Sequence, residues 1–293
     1  MLDIIKSIFG KEKSKYPSLN DTTMSILETK TYSQGPHMAD INYLLTEVNE
    51  DVRVMKYADS KITDNYILML KIAKRNILSL EYCSPTLKDD ENFMLELIKS
   101  NAYAYTFTSF RLRHDRNFKH QAVDTNAWVV QYLDEKDLNE AEIFLTAIKQ
   151  NGTVIKYAHK DLLNNPDFML SIIDVLPWAI EFASEELKDN IYFMLKVIRK
   201  DANLIAHASD RLKQDKNLVA AAVHINGIAI RHVHESLKDN LKVAKLAIKS
   251  NKDAFYYISN RLQTEPEIHF LVEKIKKTGE ENETKTRTTE GNI

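Results

Sequence analysis

The chain of 293 residues has a single cysteine, Cys83, so no disulfide framework can staple it. A reducing compartment suits such a chain. Glycine and proline are scarce, at six each. That poverty argues against a turn-rich sheet protein and for long helices or helical repeats. No run of about 18 apolar residues is present, so no membrane span is expected. The opening MLDIIKSIFGKEKSK is interrupted by Asp3 and Lys6 and is not expected to act as a signal peptide. It reads instead as a fraying end or cap, or alternatively as a segment that docks on a membrane or partner, with Leu2, Ile5, Ile8 and Phe9 on one side of a short helix. Neither sign of charge dominates: 40 Lys and Arg oppose 42 Asp and Glu, a net charge of −2. This excludes a uniformly basic nucleic-acid binder and leaves room only for a local patch. Signatures of nucleotide binding, zinc proteolysis, serine hydrolysis and paired-thiol chemistry are all missing.

What is there is a hydrophobic fraction of 44%, enough for a packed core, and a period. NGTVIKYA at 151–158 and NGIAIRHV at 226–233 begin 75 residues apart. Stepping by 25 from His37 gives nine blocks over 37–261 and a partial tenth from Leu262. Position 21 of each block is a ring: Tyr57, Tyr82, Phe107, Tyr132, Tyr157, Phe182, His207, His232 and Tyr257. Position 12 is always aliphatic, from Val48 to Ile248. Position 15 is Asn or Asp in eight of nine blocks, the exception being Leu176.

Block 187–211 shows the logic. Phe193, Met194, Val197 and Ile198 share one helix face. Asn190 precedes that helix as an N-cap, with Asp40, Asn65, Asp90, Asp115, Asn165, Asp215 and Asn240 equivalent. Asp201, Asn elsewhere, then turns the chain. Asn tolerates left-handed geometry, and Asn-Gly is a turn signal. A second helix follows with Leu204, Ile205, His207 and Ala208 inward. Each block is therefore read as two antiparallel helices of about 8–10 residues, too short to stand alone. Stacking them gives an all-α fold, an α-solenoid of about nine 25-residue helix-turn-helix repeats, on the order of 80–90 Å long. The expected organisation is an N-terminal cap over 1–36, the array over 37–277, and a disordered charged tail over 278–293.

LKDDENFMLELIKSNAYAYTF, LNNPDFMLSII, LKDNIYFMLKVIRK and LKQDKNLVAAAVHINGIAI resemble the repeats of the family called domain of unknown function 4116. The resemblance covers roughly 37–277. It implies a helical, repetitive fold found in bacteria, protists and large viruses. It implies no reaction and no catalytic residues.

Candidate sites are few. Cys83 shares a column with Ala58, Ala158, Ala183 and Ala208 and reads as a packed thiol. His207 and His232 occupy the ring column of adjacent blocks, with His234 and His159 in a neighbouring column. They are the only hint of a metal site, and tyrosine elsewhere in their column points to packing instead. Block 112–136 departs most from the pattern. Arg111, Arg113, His114, Arg116, Lys119 and His120 gather there around Asp115, with Asp134, Glu135 and Asp137 close by in sequence. Lys119 stands where other blocks have an apolar residue. An unpaired buried ammonium is costly, so that ridge is expected to open to water or a partner. Position 17 varies and holds Tyr103 and both tryptophans, Trp128 and Trp178. A Trp–Tyr row beside arginines has the composition of a binding hot spot. The same large residues would also fill gaps between stacked blocks.

The leading functional reading is a non-enzymatic protein–protein interaction scaffold that binds a protein or peptide along the solenoid. An effector or inhibitor of another protein is one form of it, in the cytoplasm or in a host cytosol. The binding residues would be Tyr103, Trp128, Trp178, Arg111, Arg113, Arg116 and Lys119, with no catalytic residue, metal or cofactor. A nucleic-acid binder using the basic block 111–120 is the alternative. A metal-dependent enzyme built on His207 and His232 is the third.

Overall fold

In the computed structural model, residues 35–277 are described, and the expectations for 1–34 and 278–293 lie outside them. Among the described residues every regular element is helical. Nine long α-helices recur with the period read from the sequence, for example Tyr66–Arg75, Glu91–Ser100, Ile191–Lys200 and Leu241–Ser250. A final helix runs through 266–277. Repeats are numbered 1 to 9 below by their 25-residue blocks.

Every expected N-cap is in place. The side chains of Asp40, Asn65, Asp90, Asp115, Asn165, Asn190, Asp215 and Asn240 each accept from a backbone N–H in the first turn. The second helix differs from expectation. It is a six-residue 3-10 helix, as in Ala202–His207, followed by a one-turn helix that straddles the block boundary, such as Glu185–Lys188. The reason lies in the spacing of the buried residues. Ala202, Ile205 and Ala208 recur every third residue and are 2%, 0% and 4% exposed. A three-residue turn aligns them along one line, which a 3.6-residue turn does not.

The residue at position 15 is also differently placed. Asn101, Asn126, Asn151 and Asn226 are extended rather than left-handed, with φ between −154° and −145°. Each carboxamide caps the 3-10 helix by accepting from the N–H two residues on. Asn76 and Asn126 also reach back one repeat, donating Nδ2 to Val48 O and Ile98 O at 2.9 Å. Gln150 and Ser250 do the same from position 14, to Val123 O and His224 O. The carbonyls that a helix C-terminus leaves without partners are thus satisfied by the next repeat. The glycine after the asparagine serves close approach, since a Cβ on Gly227 would lie 2.1 Å from Ala247 O. Repeat 6 is distorted as its Leu176–Pro177 predicts: its long helix stops at Ile173, and Leu176 supplies no side-chain cap.

Long helices pack on long helices and 3-10 helices on 3-10 helices, giving two layers around one continuous core. The ends reveal the polarity of stacking. In repeat 1, positions 8 and 12 (Leu44, Val48) are fully buried and positions 7 and 11 (Tyr43, Glu47) are half-exposed. In the last helix, position 7 (Ile268) is buried, whereas positions 8 and 12 are exposed and polar, His269 and Glu273. Positions 7 and 11 therefore face the preceding repeat, and 8 and 12 the following one.

Candidate binding surface

The layer of 3-10 helices carries the ring column along its length. Eight of its nine rings, from Tyr57 to His232, are half-buried, and Tyr257 is 39% exposed. Because the 3-10 helices stack in register, one ring per repeat emerges on the same face. Position 17 joins this row. Tyr103 meets Phe107 and Tyr132 edge-on, with centroids 5.5 Å and 5.6 Å apart. Trp178, 37% exposed, meets Phe182 at 6.1 Å and rests above Gly152. Trp128 is half-buried, with the ammonium of Lys156 5.5 Å from its ring centre. Tyr103, Trp128 and Trp178 thus occupy the same position of the 3-10 layer in repeats 3, 4 and 6, each beside its own neighbours rather than in mutual contact.

The basic residues are placed otherwise. Arg111 is paired with Asp89 and Glu91, and Arg116 with Glu140 and Glu142. His114 stacks on Phe110, and Arg113 is exposed. Lys119 overturns the expected open ridge. It is 4% exposed, and its ammonium donates to Asp137 at 2.5 Å, itself 2% exposed. Lys119 holds position 8, which faces the next repeat, and Asp137 is the first residue of that repeat. The pair lets two charges share an otherwise apolar interface, which neither could enter alone. A partner cannot reach Lys119 without unfolding the array, so it is withdrawn from the binding surface.

Sequence reasoning missed a recurring clamp. The hydroxyls of Ser109, Ser209 and Ser259 donate to Asp89, Asp189 and Asp239, while Arg111, Arg211 and Arg261 grip the same carboxylates through Nε at 3.0 Å. The serine hydrogen bond first, then the arginine, holds each carboxyl below its ordinary range. Where position 25 is Glu186, position 3 is Asn164, which donates to it, and a like-charge contact is avoided. The signal was there: Asp, then Ser-x-Arg 20 residues later, occurs in three blocks.

His207 and His232 lie in adjacent repeats with the lysines of position 2 around them. Burial lowers both pKa values. Lys188 and Lys213 reinforce the effect at His207 against Glu181, and Arg231, His207, Lys213 and Lys238 at His232. A shallow depression lined by Lys213, His232, His234, Asp210 and Glu235 adjoins them. Among the described residues no group of three His, Cys, Asp or Glu side chains is arranged to hold a metal. Cys83 is 4% exposed, and burial pushes its thiol up to about 12, far from a nucleophile at neutral pH. Among the described residues no helix is long and apolar enough to cross a membrane.

Residues 65–113, 115–163, 165–213, 190–237 and 215–263 match the model of a domain of unknown function, DUF4116, so that each match spans close to two repeats. No curated protein and no solved structure matches the chain.

Proposed function

The chain belongs to the DUF4116 family, and from its geometry we propose that it is a non-enzymatic scaffold that binds a protein or peptide across the face formed by its 3-10 helices. One observation carries this reading. Stacking brings one half-exposed ring per repeat, together with Tyr103, Trp128 and Trp178, onto a single extended surface. Extended solenoid faces bind extended partners, and rings supply contact area at small conformational cost. Arg113 is exposed and, unlike Arg111 and Arg116, stands in no ion pair among the described residues, so a partner could draw on it. Arg111 and Arg116 are already engaged by carboxylates, which weakens a phosphate-binding reading of the same block. Such a scaffold acts by occupying its partner, as an effector or inhibitor of another protein in the cytoplasm or a host cytosol.

The test is capture from lysate, with and without nuclease, by the parent chain and by a Trp128→Ala/Trp178→Ala variant whose circular dichroism is unchanged. A defined protein held by the parent, insensitive to nuclease and lost by the variant is expected. Equal retention by the two chains, or retention only of nuclease-sensitive material, overturns the reading.

A further inference from the structure

The ammonium of Lys156 already sits against two aromatic rings. Its Nζ is 5.5 Å from the ring centre of Trp128 and 5.0 Å from that of Tyr157. Tyr132 meets Tyr103 edge-on at 5.6 Å. Burial, and then its neighbours Tyr103 and Tyr157, push the Tyr132 hydroxyl up in pKa. Four rings from repeats 3, 4 and 5 therefore gather within one stretch of the face. Aromatic faces carry negative potential and attract an ammonium within about 6 Å. The fold does not demand a lysine at this place. The same position holds Lys56, Glu81, Thr106, Gln131, Glu181, Ala206, Arg231 and Tyr256 in the other repeats, and Lys156 is exposed.

We propose that Tyr103, Trp128, Tyr132 and Tyr157 form a recognition site for an alkylammonium group, and that Lys156 is its internal occupant, displaced when an external ammonium binds. The ligand is a lysine or methylated-lysine side chain of a partner, or a free quaternary ammonium. Both present the same cation to the same rings. The inference rests on the reading of this face as the binding surface and specifies the chemistry at its centre. A site blocked by its own lysine binds more weakly, because its apparent Kd is the intrinsic value divided by the fraction of time the site is open. Clearing the lysine should therefore tighten binding, whereas removal of a residue that contacts the ligand would weaken it.

The experiment uses the full chain in a Trp178→Phe background, which leaves Trp128 as the sole tryptophan. Choline chloride is titrated at constant ionic strength, with the uncharged isostere 3,3-dimethylbutan-1-ol in parallel, and tryptophan emission is read. Lys156→Ala is expected to give a saturable response to choline with an apparent Kd about tenfold lower than the parent. Lys156→Gln repeats the measurement should the alanine variant misfold. Adding Tyr157→Ala should abolish the response. Peptides carrying lysine or trimethyllysine separate the sources: tighter binding of a peptide than of choline indicates a partner side chain, and the reverse a free cation. An unsaturable response to choline in both lysine variants, or equal binding of the neutral isostere, overturns the proposal. If capture of a protein still depends on the tryptophans in that case, the surface reading stands while the ammonium site falls. A choline response without protein capture gives the converse.

Discussion

At position 15, one asparagine side chain performs two tasks. Its oxygen caps the 3-10 helix of its own repeat, and in Asn76 and Asn126 its nitrogen donates to the helix end of the repeat before. Aspartate at this position, as in Asp201, keeps only the first task. Asn126→Asp should therefore cost about 1–3 kcal/mol, because it leaves the Ile98 carbonyl beside a carboxylate; urea titration checks it. Ser109 is another residue with a double role. Its hydroxyl caps Phe110–His114 through the Leu112 N–H and donates to Asp89. Ser109→Ala should lose about 1 kcal/mol from the cap alone. Carbon-detected NMR titration should show the Asp89 carboxyl rising toward its ordinary value. A carboxyl held low contributes stability above its unfolded pKa, which is lost as pH falls through the folded value, so the variant should unfold at a higher pH on acidification. His207 and His232 follow the same sign for another reason. Their folded pKa values lie below the ordinary histidine value, so the unfolded chain binds more protons on acidification, and stability declines as pH falls below about 6.5. His207→Tyr/His232→Tyr restores the ring of the column and should flatten the dependence of Tm on pH between about 7 and 5.

Among the elements, what repeated in columns was legible and what crossed between columns was not. The period, the N-caps and the buried face of each long helix follow from positions 4, 7, 8, 11 and 12 read down the blocks. The 3-10 form of the second helix did not, because four apolar residues in seven suit a short α-helix almost as well. Its three-residue period becomes decisive only once Ala202, Ile205 and Ala208 are known to be buried together. The tryptophan row was legible because Trp128 and Trp178 share a column. The partner of Lys119 was hidden because it stands in a different column of the next block. Read together, though, positions 8 and 1 both abandon apolar residues at one interface, between repeats 4 and 5. Lys119→Met or Asp137→Leu alone should cost about 3–5 kcal/mol by stranding a buried charge. The double variant, which restores the pattern of the other repeats, should match or exceed the parent in stability. A double variant as unstable as the singles would mean that the interface needs the pair for its shape, and thermal unfolding of all four chains decides it.

At the scale of the whole array, the described residues form a stack with two different ends. Lys119 apart, interior long helices present apolar residues at positions 7, 8, 11 and 12, whereas Glu47 at one end and His269 and Glu273 at the other interrupt that pattern. Polar outer faces are what keep a solenoid from adding further units at its tips. His269→Met/Glu273→Ile rewrites the last helix as an interior one and should cause self-association that rises with concentration, measured by sedimentation velocity. A monomeric variant would show that something other than these two side chains closes the stack.

The buried pair at the junction of repeats 4 and 5 has a consequence for heredity as well. Tandem units of equal length invite unequal crossing-over, and loss of a 75-nucleotide unit keeps both the reading frame and the apolar contacts that most neighbours share. Loss of repeat 4 or repeat 5 keeps the frame but not the contacts, because Asp137 or Lys119 is then left facing a hydrocarbon wall without its counterion. Length variation among descendants of this gene should accordingly accumulate on either side of that junction, and copies in which the junction itself is cut should be purged as chains that fail to fold.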